Sequence, residues 1–138
     1  MWIYNDIEIK ALSDMPESAI GFVYMLVHTS GKKYIGKKLL ESKKTLPPLK
    51  GYKRKRRIVK ESDWLSYYGS NLQIKQMIKE GKQTEFIRYI LEFAYSKKQL
   101  TYLETKYLFK YEVLEYPEFF WNDTILGKFY HKDTKNID

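Results

Sequence analysis

The stretch Gly21-Phe22-Val23-Tyr24-Met25-Leu26-Val27-His28-Thr29-Ser30-Gly31-Lys32-Lys33-Tyr34-Ile35-Gly36-Lys37 decides the fold. Gly21 to Val27 is a continuous apolar run of strand length. His28 to Lys32 is polar and contains Gly31, and Lys33 to Lys37 returns to a short strand pattern. Two apolar runs joined by a few polar residues with a glycine predict an antiparallel hairpin. Tyr24 and Tyr34 then fall on adjacent strands. Gly21 and Gly36 sit toward strand ends, where the missing Cβ lets a backbone or a ligand come close.

Outward from the hairpin, the pattern is that of a small α/β (α+β) domain. On the N-terminal side, residues 1–20 read as an extension. In it, Asn5-Asp6 supplies turn chemistry between two short extended pieces, and Pro16 marks a connector. On the C-terminal side, residues 41–61 hold Pro47-Pro48, Gly51 and the run Lys53-Arg54-Lys55-Arg56-Arg57. Without apolar periodicity they predict a loop or a partly ordered basic arm, inserted after the second strand. Ser70-Asn71-Leu72-Gln73 has the form of a capping box, and Ile74, Met77 and Ile78 share one helical face before Gly81. Glu85 to Phe93 predicts a strand, buried at its centre. Ser96-Lys97-Lys98-Gln99 is a second capping box, opening a helix with Leu100, Leu103, Tyr107 and Tyr111 on one face and an end at Pro117. Phe119-Phe120-Trp121 should pack on the core, and 128–138 is a polar tail that frays at its end. The expected architecture is one domain, 1–138, with a small mixed or antiparallel sheet of about three strands flanked by helices.

Composition narrows the chemistry. A chain of 138 residues buries a core without staples. It has no cysteine, which excludes disulfides and thiolate chemistry, and its two histidines are too few for a histidine metal cluster. There is no Gly-rich phosphate loop, no H-E-x-x-H and no G-x-S-x-G. Lys and Arg number 25 against 17 Asp and Glu, a net charge of +8 that favours a polyanionic partner, nucleic acid first. No apolar run approaches the roughly 20 residues of a membrane helix, and the N-terminus lacks the features of a signal peptide. A cytoplasmic protein without membrane association is expected.

The candidate residues each keep a plain structural alternative at this stage. Tyr24 in an apolar strand is equally a core residue. Glu104 lies on or beside the apolar stripe of its helix, where most glutamates are solvated. Asn122 pairs with Asp123 as turn chemistry. Arg88 is expected at a sheet edge or on a phosphate, and Lys38, Lys50, Lys53, Lys55 and Lys60 as phosphate contacts along the basic stretch.

Gly21-Phe22-Val23-Tyr24 followed by Tyr34-Ile35-Gly36 resembles the signature of the GIY-YIG nuclease superfamily. The order downstream agrees: a helix, the Phe86 to Leu91 strand, a helix bearing Glu104, and Asn122. Trp64 to Ser70, with Tyr68-Gly69-Ser70, resembles phage-type members and implies a viral or mobile-element setting, with action in a bacterial host cell. The resemblance spans roughly Gly21 to Asn122. It implies metal-dependent hydrolysis of a phosphodiester in double-stranded or branched DNA. Glu104 would hold one Mg²⁺ or Mn²⁺, Tyr24 or Tyr34 would orient or deprotonate the attacking water, and Asn122 would support the site. A phenol titrates near 10, so a cation such as Lys37, which follows the Tyr-Ile-Gly segment as in some members, would have to lower it.

One departure from the family stands out. Members usually carry an arginine, followed by a histidine, on a helix soon after Tyr-Ile-Gly. Lys43 and Lys44 occupy about that spacing here, next to Pro47-Pro48, and no histidine follows. Arg54, Arg56 or Arg57 is the expected replacement. The departure leaves two alternatives to an endonuclease: a non-catalytic nucleic-acid-binding module on the same fold, or a phage protein that binds a host protein through Phe119-Phe120-Trp121. Sequence specificity is expected from the insertion, the N-terminal strands, a homodimer or a partner chain.

Overall fold

The computed structural model describes residues 1–137. Strand β3 (Gly21–His28) and strand β4 (Lys33–Leu39) form the expected antiparallel hairpin, with Tyr24 opposite Gly36 and Leu26 opposite Tyr34. On its other side β3 pairs antiparallel with the later strand spanning Phe86–Ala94, with a bulge between Val23 and Tyr24. The chain order of the remaining elements is β1 (Trp2–Tyr4), β2 (Ile7–Ile9), β5 (Glu41–Leu46), β6 (Arg56–Glu61), α1 (Leu72–Lys79), β7 (the Phe86–Ala94 strand), α2 (Lys97–Lys110), β8 (Thr124–Ile125) and β9 (Phe129–Tyr130).

The sheet is mixed and has five strands in the order β2-β1-β7-β3-β4, not about three. The two extra strands come from the segment read as an N-terminal extension. Asn5 and Asp6 turn the chain in left-handed conformations, φ 47° and 66°, and β1 runs parallel to β7 with Trp2 beside Arg88. Trp2 is fully buried, and its indole N–H donates to the Trp64 carbonyl at 2.8 Å. An apolar anchor with its one polar atom satisfied fixes the N-terminus into the core.

The alternation of β3 divides the core. Phe22, Tyr24 and Leu26 face one layer with Trp2, Trp64, Ile74 and Phe86. Val23 and Met25 face the other with Leu100, Leu103 and Leu108 of α2. Helix α2 comes so near β3 at Gly21 that a Cβ there would stand 2.9 Å from Leu100 and 2.6 Å from the Lys38 carbonyl.

The caps differ in detail from the expected ones. Asn71, not Ser70, caps α1, accepting from the Ile74 N–H at 3.0 Å. Ser96 caps α2 by accepting from Gln99 N–H at 3.0 Å, and Gln99 reaches back to the Tyr95 N–H at 2.7 Å. Helix α2 ends at Lys110, well before Pro117. Glu112 turns left-handed at φ 52° and the Val113 N–H bonds to the Leu108 carbonyl, a Schellman closure made without glycine.

The basic stretch is not a loop. β5 and β6 pair antiparallel into a ribbon separate from the five-stranded sheet, with Glu41 opposite Glu61 and Leu46 opposite Arg56. β8, ahead of the polar tail, pairs with β9 inside it as a small hairpin, and the tail continues into one 3-10 turn at His131–Thr134; Asp138 lies outside the described residues. Among the described residues no helix is long and apolar enough to cross a membrane.

Candidate active site

Strand β4 is the edge of the sheet, and an edge exposes unpaired N–H and C=O groups. The segment leading to Asn122 covers part of it. Phe119 accepts from the Lys33 N–H at 2.9 Å and Trp121 N–H donates to the Lys33 carbonyl at 2.9 Å. Two residues along, the Asn122 side chain continues the ladder: Oδ1 accepts from Ile35 N–H at 3.0 Å and Nδ2 donates to the Ile35 carbonyl at 2.7 Å. Asn122 is 6% exposed, so a polar side chain in the core is satisfied through both its groups. Phe120 and Trp121 pack into the two layers, which leaves Phe119 as the exposed member of the aromatic cluster.

Beside this clamped edge the two tyrosines meet, with ring centroids 6.3 Å apart. Tyr24 is 1% exposed, and Tyr67 stands edge-on to it at 5.9 Å. Gly36 leaves the room for the Tyr24 hydroxyl, since a Cβ at position 36 would overlap it. Gly69, left-handed at φ +89°, closes the other side: a Cβ there would lie 3.2 Å from the Tyr24 hydroxyl and 3.3 Å from the Tyr34 ring. The Tyr34 hydroxyl lies 3.1 Å from Ser70 Oγ, the serine that does not cap α1.

Burial pushes both phenols above their ordinary value, and neighbouring phenols and the Glu104 carboxylate push the same way. For Tyr34 the Ser70 hydrogen bond opposes the rise without reversing it. The expectation that a cation lowers one phenol is therefore corrected. Lys37 instead donates to Thr101 Oγ1 at 2.9 Å and serves Glu104. Glu104, half-buried on α2, is pushed up by loss of water, and Lys37 pulls it down.

A family model described as "Putative endonuclease segE, GIY-YIG domain" matches residues 2–125. The chain belongs to the GIY-YIG family. A search of curated proteins and a search of solved structures each returned no match. The span of the family match begins at Trp2 and so takes in β1 and β2.

The donor set of the GIY-YIG site suits a hard cation that keeps most of its waters. Among the described residues there is no cluster of three or more His, Cys, Asp or Glu. Glu104 is a single half-buried carboxylate, the kind of ligand Mg²⁺ takes once or twice while water and phosphate oxygens complete its shell.

A cleft of about 950 Å³ runs from the ribbon root along the N-terminal end of α2, lined by Lys37, Lys38, Lys43 and Lys97. Tyr24, Tyr34 and Glu104 do not line it; it reaches the site at Lys37, Tyr67 and Thr101. Lys38 is less available to phosphate than expected. Its ammonium pairs with Asp63 at 2.6 Å and sits 4.0 Å above the Tyr67 ring.

Other expected residues are elsewhere. Arg88 lies on central β7, 4% exposed, and donates from Nη1 to the Leu65 and Tyr67 carbonyls, both at 2.9 Å. Its guanidinium is sandwiched between the rings of Trp2 at 4.7 Å and Tyr68 at 4.2 Å. It is thus no phosphate contact; it holds the loop that carries Tyr67. Arg54, Arg56 and Arg57 are exposed on the far part of the ribbon, where Arg56 Nε donates to the Pro47 carbonyl at 3.3 Å. The structure does not bring them to the tyrosines. Lys50, Lys53, Lys55 and Lys60 are exposed on the same ribbon and its loop. Sequence reasoning missed Tyr67, Ser70 and Thr101. Only the Tyr68-Gly69-Ser70 tripeptide gave a signal nearby.

Proposed function

We propose that the chain is a divalent-metal-dependent endonuclease that hydrolyses phosphodiester bonds in double-stranded or branched DNA. The observation that carries this reading is the convergence of Tyr34, Tyr24, Glu104 and Lys37 at the edge strand of a GIY-YIG domain. Glu104 would hold the Mg²⁺ or Mn²⁺, which supplies charge neutralisation at the scissile phosphate and leaving oxygen. The chain's own groups do the rest. Tyr34, the more open phenol, stays protonated at neutral pH and orients the attacking water. Tyr24, behind it, fixes Tyr34 and Gly36. Lys37 places a positive charge beside the carboxylate, where developing phosphate charge is stabilised. Asn122 positions the strand that carries Tyr34 and Lys37.

A second reading is favoured by one observation: among the described residues no arginine hydrogen-bonds to Tyr24 or Tyr34. A nucleic-acid-binding module that does not cleave would have the same fold. Supercoiled plasmid incubated with Mg²⁺ or Mn²⁺ separates the two. Nicking by the wild type that is lost in Glu104→Ala supports the endonuclease. Binding without cleavage under either metal supports the module.

A further inference from the structure

The ribbon β5–β6 holds nearly all of the protein's net charge. Residues 41–61 contain nine Lys and Arg against two Glu, so +7 of the chain's +8 resides in them and the remaining residues net +1. The ribbon lies on neither layer of the core. Every residue of β6 is exposed, and neither strand pairs with the main sheet. A two-stranded hairpin with no packed face is marginal in water by itself.

The register shows how so many cations share one ribbon. Lys43 faces Val59, Lys44 faces Ile58, Arg57 faces Thr45, Arg56 faces Leu46 and Lys60 faces Ser42. No cation stands directly across from another, which is the arrangement that would cost stability. Successive residues point to opposite faces, so Lys43 and Arg57 project on one side and Lys44, Arg56 and Lys60 on the other. Both faces are therefore cationic. From its root at Glu41 and Glu61 the paired part extends roughly 16 Å to Leu46 and Arg56, at about 3.3 Å per residue, before the loop begins.

We propose that this ribbon enters the major groove of duplex DNA and grips the phosphates along both walls, holding the duplex against the Tyr34 edge. The choice of DNA rests on the endonuclease reading. The B-form major groove is about 12 Å wide and 8.5 Å deep, admits a two-stranded ribbon, and has phosphates on both sides. The ribbon's length exceeds that depth. An A-form RNA helix has a deep, narrow major groove that excludes such an element.

The test uses the full chain in EDTA, so that binding is read without cleavage. Affinity for a mixed-sequence DNA duplex is measured by fluorescence anisotropy across a salt series. The wild type is compared with Arg54→Gln/Arg56→Gln/Arg57→Gln and with Lys75→Gln/Lys79→Gln/Lys82→Gln, an equal charge loss outside the ribbon; thermal melts check that each variant folds. Each phosphate contact contributes about 0.9 to the slope of log K against log salt. The ribbon triple is expected to flatten the slope by about 2 to 3, and the other triple to leave it within about 0.5. Methylation of guanine N7, in the major groove, should weaken binding, and an RNA duplex of equal length should bind more weakly than DNA. Equal slope changes in the two triples, no interference from N7 methylation, or equal RNA binding would overturn the proposal. Because no step needs catalysis, an inactive protein with the expected slopes would sink the endonuclease reading alone.

Discussion

The side chain of Asn122 is paired with the main chain of Ile35 as one residue of a strand is paired with another, accepting at 3.0 Å and donating at 2.7 Å. It extends the edge cover that begins at Lys33 and ends before Lys37. Asn122→Ala would leave the Ile35 N–H and C=O without partners in the core. Each such group costs about 1–3 kcal/mol, so the variant should lose about 2–4 kcal/mol. At about 3 °C per kcal/mol for a chain of this size, Tm should fall by roughly 6–12 °C. Asn122→Asp keeps the acceptor but sets a carboxylate oxygen against the Ile35 carbonyl. Protonation restores the donor, so its native pKa lies above the unfolded one. Its stability is then highest at low pH and is lost as pH rises through the native value. A pH series of melts checks this; a flat difference from wild type would show that the amide is not clamped to Ile35.

Gly36 and Tyr24 make a second falsifiable pair. An alanine Cβ at 36 would overlap the Tyr24 hydroxyl and stand 2.6 Å from its ring carbon. Overpacking of this kind costs about 1–3 kcal/mol. Displacement of a positioned group by about 1 Å lowers turnover by about 100-fold. Gly36→Ala should therefore reduce both Tm and kcat, whereas Tyr24→Phe should fold and affect kcat alone. Gly69→Ala adds a left-handed penalty to tyrosine contacts, while Gly31→Ala, left-handed at φ +91° with nothing near its Cβ, carries only the penalty. Equal losses in these two would show that Gly69 is not there to clear the tyrosines.

The parts that sequence made legible are those written in adjacent residues. The Tyr24–Tyr34 hairpin follows from two apolar runs and a glycine turn, and the α2 cap from Ser96 and Gln99. The order of Glu104 and Asn122 followed from family likeness and not from their own chemistry. What was missed depends on distant residues. The Asn5-Asp6 turn announces the Trp2–Tyr4 and Ile7–Ile9 pair but not its place in the main sheet, because the parallel pairing of β1 with β7 is set by the burial of Trp2 against Arg88 and Trp64. The ribbon has no alternation to read because neither of its faces is packed. The end of α2 hides in Glu112, a residue type that rarely turns left-handed. The direction of the tyrosine shifts depends on burial, which no local pattern reports.

Arg88 is the clearest case of a residue whose role reversed. Two carbonyls and two ring faces hold its guanidinium inside the protein. Arg88→Met removes both hydrogen bonds and leaves the Leu65 and Tyr67 carbonyls unpaired, an expected loss of about 2–4 kcal/mol. Arg88→Lys supplies a charge without the planar fork and should recover only part of it. The salt dependence of DNA binding by folded Arg88→Lys should match wild type. A flattened slope would return Arg88 to the phosphate contacts.

Glu104 sets stability against function. Its native pKa is raised by burial, so the folded state favours the protonated carboxyl. The sign follows: this contribution is complete below the ordinary carboxylate value and is lost as pH rises through the raised native one. Once ionised, the wild type holds a charge on a half-buried carboxylate, and Glu104→Gln never does. In EDTA the variant should gain on the wild type as pH rises through the raised native value, and the gap should close below the ordinary carboxylate value. Mg²⁺ should raise the wild-type Tm and leave the variant's unchanged, because a ligand that binds only the native state stabilises it by mass action. Turnover should fall in Glu104→Gln by about 1,000-fold or more, the scale of several kcal/mol of metal stabilisation at the phosphate. Melting curves in EDTA and in Mg²⁺ across pH 4–8 read all of these but turnover. A variant that gains nothing on the wild type as pH rises, with equal Mg²⁺ response, would place the Glu104 carboxylate in water and take the metal away from it.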